Sequence, residues 1–560
     1  MFKKHVLLNF FIAFFCVFIS CERKAEITAD TLAVIENRTI TKNDFKKRYL
    51  DFRRKTGEGV QDTYDTRKKL LSNMIDEDVL IYEAIQEKLG DDAAGNTEHE
   101  RIKIQQLLNT FSKKNIAAKV TVSEDELKKL YLRFQTKIKA RHLYAPTREK
   151  ADSLYNAVMH GASFDDLAKR VFKDKKLRRS GGSLGYFTVD EMDPAFENAA
   201  FNLKIGEVSQ PVRTSEGYSI IRVDDRKSKP INTEYEFAKQ KTKLARYWRN
   251  RKIKQAVQAY SDSLSQVLKI HFDEQAVVQL FHLLKTDDTN PLANENKSLS
   301  KNIETMQLVR SRLGVWRIGD FQSKANFTSE KQKKWIHSKE DLKSFISGLI
   351  VREEILREAT AQGLDRTPEY QKKVKEEWET YLLTQMEDKL KNNMSVPEDS
   401  LKDYFDSNPK LFAAPAEINL REIVLEDKRT ADLVKKKLKN GASFAELAKQ
   451  YSVRRWSAER GGELGYLTPQ DFGKWAPKVF SLRIDDLAGP VKMDSMIVFL
   501  KCIGKRPEKM RSYSEAHDDV ESAVRYLAWD GYRKSEINKM KRSLSFLKTY
   551  PEKLKSIRLH

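Results

Sequence analysis

Gly161-Ala162-Ser163-Phe164 returns as Gly441-Ala442-Ser443-Phe444, 280 positions later, and Leu167-Ala168-Lys169 returns at the same spacing as Leu447-Ala448-Lys449. Gly181-Gly182-x-Leu184-Gly185-Tyr186-x-Thr188 likewise recurs as Gly461-Gly462-x-Leu464-Gly465-Tyr466-x-Thr468. Between Arg141 and Thr188, 16 of 48 positions are identical without a gap, several times what chance gives, so the chain folds one kind of unit twice. The spacing drops to 279 at Pro211-Val212 and Pro490-Val491, which marks one residue missing from the second copy.

The likeness extends outward. Val122-x-Glu124-Asp125-x-Leu127 resembles Val396-x-Glu398-Asp399-x-Leu401, and each is expected to begin a helix. Residues 70–89 and 345–364 carry apolar side chains at helical spacing, and Arg246-Tyr247 matches Arg525-Tyr526 within charged helical segments. The Asn/Asp/Ser-rich stretch 286–302 is the expected linker between two halves. Within the first unit the pattern predicts a strand over 139–144, a helix over 149–160 ending at Gly161, and a second helix opened by Ser163. A Gly-Gly turn, a short strand, a helix near 194–201 and a hairpin of strands 208–213 and 218–223 follow. The fold class is therefore α+β, two mixed domains on antiparallel sheets embedded in mainly helical modules.

Composition narrows the class rather than choosing it. With 33% charged and 40% hydrophobic residues, 14 prolines and 22 glycines, the chain is neither collagen-like nor wholly disordered. Only one apolar run approaches membrane-spanning length, which excludes a polytopic membrane protein. The net charge of +22 favours anionic partners without selecting one.

That apolar run is the leader: Lys3 and Lys4 precede the stretch 6–19, which ends in Phe18-Ile19-Ser20-Cys21. The ending resembles a bacterial lipobox, which implies export, cleavage and lipidation at Cys21; an uncleaved signal anchor is the alternative, and either tethers the protein outside the cytoplasm. Cys16 lies in the leader, so Cys502 is the one cysteine left in the body and no internal disulfide can form. The nine histidines show no metal-ligand spacing, and no metal site is expected.

Five ordered blocks in the first unit resemble the parvulin (PpiC-type) peptidyl-prolyl cis-trans isomerases. They are Arg141-His142-Leu143, Gly181-Gly182-Ser183-Leu184-Gly185-Tyr186-Phe187, Phe196-Glu197-x-Ala199-Ala200-Phe201, Gly206-Glu207-Val208-Ser209-x-Pro211-Val212 and Gly217-Tyr218-x-Ile220-Ile221. The flanking helices are similar in layout to the chaperone modules of SurA/PrsA-like extracytoplasmic foldases. The expected division is a leader at 1–20, an N-terminal helical module at 21–135, a parvulin domain at 136–228 and a helical segment at 229–285. A linker at 286–312, a second helical module at 313–415, a degenerate parvulin-like domain at 416–506 and C-terminal helices at 507–560 complete it.

The resemblance implies site residues by position. Leu184, Met192 and Phe196 form the proline cup, His142 takes the first of two histidine positions beneath it, Asp174 the polar Cys/Asp position, and Thr214 the hydroxyl of that network. Ser219 stands where many members carry the second histidine. In the second unit Glu422, Arg454 and Val498 replace His142, Asp174 and Ser219, while Leu464, Phe472 and Trp475 retain an apolar groove, which implies a non-catalytic domain that binds peptide or serves as a scaffold. No cofactor is implied, because rotation about an Xaa-Pro bond breaks no bond.

Gly181-x-Ser183-x-Gly185 fits a nucleophile-elbow pattern, but the repeat puts Glu463 at the serine, which argues against a hydrolase. The segment 239–254 holds eight Lys/Arg with Tyr247 and Trp248 interleaved, and an exported chain makes a solvated helix or anionic lipid the better reading; nucleic acid is not an expected partner. The expected function is isomerisation and chaperoning of unfolded or nascent exported polypeptides at the periplasmic side of a membrane, the outer membrane favoured. A holdase without catalysis is the alternative.

Overall fold

A computed structural model describes residues 27–56, 61–229, 233–285, 300–328, 336–493 and 496–558. The leader with Cys21, and residues 286–299 of the expected linker, lie outside them. The chain divides into two compact units, one from Gly90 to Trp378 and the other from the residues up to Leu89 together with those from Glu379 onward. One break thus falls in the turn between the helices Tyr64–Gln86 and Ala93–Phe111 and the other inside the helix Pro368–Asn393, neither at the Asn-rich segment.

In the unit Gly90–Trp378, the strand Thr136–Ala145 is central to an antiparallel sheet ordered Ser183–Phe187, Thr136–Ala145, Gly217–Ser228, Val212–Thr214. It is buried on both faces, Ile138 and Ala140 in one apolar cluster and Leu143 and Ala145 in another. The helix Arg148–Met159 is capped by Thr147 and stops before Gly161, whose φ of +90° suits glycine. Ser163 caps Phe164–Val171, and Asp193 with Pro194 at N1 opens Pro194–Asn202. The strand expected over 208–213 is regular only from Val212, because Pro211 has no N–H to donate; Val208 makes a single bridge to Arg222. The second copy repeats this sheet in the other unit, as Glu463–Leu467, Glu417–Leu425, Met496–Arg506 and Leu487–Met493.

The helical modules contain small sheets that periodicity alone does not reveal. Thr31–Ile35 and Arg38–Thr41 form a hairpin followed by the helix Lys42–Thr56, and Gln307–Ser311 and Gly314–Arg317 form another followed by Ile318–Ala325. Residues 301–311, expected as linker, are thus the helical turn Lys301–Glu304 and the first strand of this second hairpin. Each hairpin is closed by a third strand from the far end of the opposite half. Leu547–Thr549 pairs with Thr31–Ile35, whereas His271–Phe272 pairs with Gln307–Ser311. Leu554 and Ile557 enter the core of Leu32, Ile35, Phe45 and Leu71, and Leu268, Val277 and Leu280 enter that of Leu308, Phe321 and Ile346. Among the described residues no helix is long and apolar enough to cross a membrane, and no cluster of potential metal ligands occurs.

Candidate functional site

The strand pairing brings the first site residues together. His142 pairs with Ile221 and Tyr144 with Ser219, so His142 and Ser219 are diagonal neighbours on one face of the sheet. His142 Nδ1 and Ser219 Oγ share a hydrogen bond at 3.3 Å. The imidazole packs between Phe172 at 5.1 Å and Phe196 at 5.7 Å, the latter edge-on. Burial pushes its pKa down to about 4, so the ring is neutral at ordinary pH. Gly182 is required here, because its carbonyl accepts from His142 N–H at 3.0 Å and a Cβ on it would lie 2.0 Å from the His142 carbonyl oxygen.

Above this pair, Phe196 is buried in the cluster of Phe187, Val189 and Ala200, and half-buried Leu184 and Met192 pack against it. These three side chains share one apolar cluster beside the His142–Ser219 pair. Cap residues on the helix Pro194–Asn202 fix its rim: Asp193 accepts from Ala195 and Phe196 N–H and from Ser215, and the backbone hydrogen bonds hold its carboxyl below the usual range against burial, the largest effect, which raises it. Buried Glu197 accepts from Asp190 N–H at 2.7 Å and pairs with Arg251 at 3.1 Å, tying the helix Pro194–Asn202 to the helix Glu234–Leu268.

Two residues assigned by position sit elsewhere. Asp174 is exposed and accepts from Leu177 N–H at 2.8 Å, capping the short helix Lys175–Arg179. Thr214 donates to the Gly217 carbonyl at 3.2 Å and lines a recess of about 490 Å³ with Asp193, Arg133 and Trp248. Neither is hydrogen-bonded to His142 or Ser219. Sequence reasoning missed Phe172, the second ring against His142; its place two residues before Asp174 was the available signal.

In the second unit the polar floor is replaced rather than emptied. Glu422, at the His142 position, is buried and accepts from Arg454 at 2.8 Å and from the buried Ser457 hydroxyl at 2.6 Å. Val498 is buried at the Ser219 position, and Leu464, Phe472 and Trp475 pack against the cluster of Ile418, Leu420 and Val498. An internally neutralised ion pair thus underlies the second groove.

Residues 96–227 and, separately, 396–518 match models described as the PPIC-type PPIASE domain. The foldase PrsA 2 of Bacillus cereus is 30% identical over 208 residues, covering 35% of this chain and 70% of that protein. The foldase PrsA of Geobacillus kaustophilus is 31% identical over 210 residues, covering 36% and 73%. Among solved structures, PrsA of Bacillus anthracis is 24% identical over 40% of this chain and 89% of its own, with a TM-score of 0.21. A structure from Campylobacter jejuni, from work describing PEB4 and Cj1289 as SurA-like chaperones, is 23% identical over 43% and 100%, with a TM-score of 0.20.

Proposed function

Because the chain belongs to the family of PPIC-type peptidyl-prolyl cis-trans isomerases, we propose that its first mixed domain carries the catalysis and its second binds peptide without turning it over. The chain is a peptidyl-prolyl isomerase and chaperone of exported proteins, and it works outside the cytoplasm.

The barrier to be lowered is the rotation of a resonance-stabilised amide, about 18–20 kcal/mol. Twisting the bond removes the resonance, so the polarised planar amide is worse served than the twisted one by a dry, uncharged pocket. The cup of Leu184, Met192 and Phe196 supplies that pocket for the proline ring. The neutral His142–Ser219 pair supports it from below, where an imidazolium would bring back charge. A differential of about 4 kcal/mol between planar and twisted forms gives roughly a thousandfold. Asp174 and Thr214 serve in this reading by shaping the loops around the cup rather than by contacting the floor. The observation that carries the assignment is the contrast in floors: a neutral, hydrogen-bonded imidazole in one domain, and the Glu422–Arg454–Ser457 cluster in the other.

Phe472 and Trp475, over that second floor, hold client segments by apolar contact. Lipidation at Cys21 anchors the chain to a membrane, the outer membrane being the favoured one. Clients are unfolded exported polypeptides bearing Xaa-Pro bonds.

The test is cis/trans exchange in a short Ala-Xaa-Pro-Phe peptide, followed by magnetisation-transfer NMR with the full chain and its Met192→Ala variant. Acceleration by the wild type, cut about tenfold in the variant, is expected. No acceleration by the wild type, with suppression of client aggregation retained, leaves a holdase and overturns catalysis.

A further inference from the structure

The segment Lys173–Arg179 is a concentration of charge that neither the fold nor the cup uses. It holds five cations, Lys173, Lys175, Lys176, Arg178 and Arg179, against one anion, Asp174. Asp174 is occupied as the cap of the helix Lys175–Arg179. None of the five cationic side chains has a hydrogen-bond or ion-pair partner among the described residues. The nearest acids on the preceding helix are engaged, Asp166 with Lys169 at 2.9 Å and Asp165 towards Arg141 at 3.7 Å.

The segment is pinned to the site at both ends. Phe172, just before it, lies against the His142 ring. Gly182, just after it, bonds through its carbonyl to His142 N–H and through its own N–H to the Leu177 carbonyl at 2.8 Å. Leu184, two residues further, belongs to the cup. A five-residue helix rises only about 7.5 Å, so a segment held in this way keeps its cations around the cup, on the scale of a Debye length, about 10 Å at 0.1 M salt.

The second copy supplies the contrast. Residues 453–459 hold two cations, Arg454 and Arg455, and one anion, Glu459, and Arg454 is neutralised by Glu422 at 2.8 Å. Uncompensated positive charge thus accompanies only the copy with the His142–Ser219 floor.

We propose that Lys173, Lys175, Lys176, Arg178 and Arg179 are specificity determinants that select client segments with acidic residues flanking the proline. The inference rests on the first domain being the isomerase site. Several unpaired cations near one carboxylate give roughly tenfold discrimination at low ionic strength, most of which is lost as salt shortens the Debye length to a few ångströms.

The experiment uses the full chain with fluorescein-labelled peptides carrying Glu, Ala or Lys immediately before or after proline. Binding is read by anisotropy and exchange by NMR, at 20 mM and 500 mM NaCl, for the wild type and for Lys175→Glu/Arg178→Glu, both exposed positions. The expected result is about tenfold tighter binding and faster exchange for Glu over Lys peptides at low salt, shrinking to within about threefold at high salt and vanishing in the variant, whose segment is left without net charge. Equal affinities for the Glu and Lys peptides, or a preference that survives charge reversal, overturn the proposal. Absence of exchange with every peptide defeats the catalytic reading instead, and the binding arm still decides on specificity.

Discussion

Titrating His142 tests the physical account of the cup floor. An imidazole free in water titrates near 6.5, and burial pushes this one down to about 4. Between those two values the unfolded chain binds a proton that the native domain refuses, so stability rises with pH across that window and is lost as pH falls through it. The full separation, about 2.5 pH units at 1.36 kcal/mol each, is roughly 3 kcal/mol; below pH 4 both states are protonated and the loss stops growing. Two measurements on the full chain check this. In spectra of ring-labelled histidine, the His142 resonance titrates with a midpoint near 4. Hydrogen exchange read by mass spectrometry on peptides from 136–228 shows the domain losing roughly 3 kcal/mol more between pH 7 and pH 4 than the His142→Gln variant, whose amide cannot titrate. A midpoint above 6, or parallel pH curves for wild type and variant, would refute the claim that a dry neutral floor underlies the cup. The same account predicts isomerase activity that is flat from pH 5.5 to 8 as far as this ring is concerned.

Glu422→Ala leaves the buried Ser457 hydroxyl without its carboxylate and the half-exposed Arg454 without its counter-ion, and destabilises the second domain by roughly 1–3 kcal/mol in urea unfolding while leaving isomerisation unchanged. Gly182→Ala forces a Cβ to within 2.0 Å of the His142 carbonyl oxygen at a φ of +76° and abolishes exchange, whereas Gly161→Ala, at a φ of +90° but facing open space, costs about 1 kcal/mol in thermal unfolding. Deleting residues 547–558 strips the third strand and the Leu554 and Ile557 side chains from the hairpin Thr31–Thr41, so limited proteolysis cuts within 27–86 while 90–378 stays intact.

Where local chemistry decides an element, the sequence is readable. Ser163 and Pro194 mark helix starts because a hydroxyl cap and a fixed φ are properties of single residues. The helix expected to begin at 122–127 does so through a full capping box of Ser123 with Glu126. That Leu184, Met192 and Phe196 share one cluster follows from a different cause, their positions in the family pattern. What escapes is what depends on distant partners. Nothing in Leu547–Thr549, three exposed residues, announces a strand, because the edge it completes lies in the hairpin at the other end of the chain. Glu422 and Arg454 each read as the loss of a catalytic group, and only their meeting at 2.8 Å shows that one loss compensates the other. The family position assigns Asp174 to the site, but a carboxylate three residues past the helix Phe164–Val171 is also an ideal cap for the next one, and it serves there.

The crossed closure of the two hairpins has a consequence for the order in which the protein can be made. A polypeptide leaves the ribosome and crosses a membrane from its N-terminus, so the strand Thr31–Ile35 is among the first parts to arrive. Its partner at Thr549, opposite Ala33, arrives 516 residues later. The second hairpin, by contrast, meets His271–Phe272 already delivered when Gln307–Ser311 emerges. The hairpin Thr31–Thr41 therefore waits far longer for its closing strand, and until Leu547–Thr549 arrives its open edge is in the same condition as the chains this foldase attends.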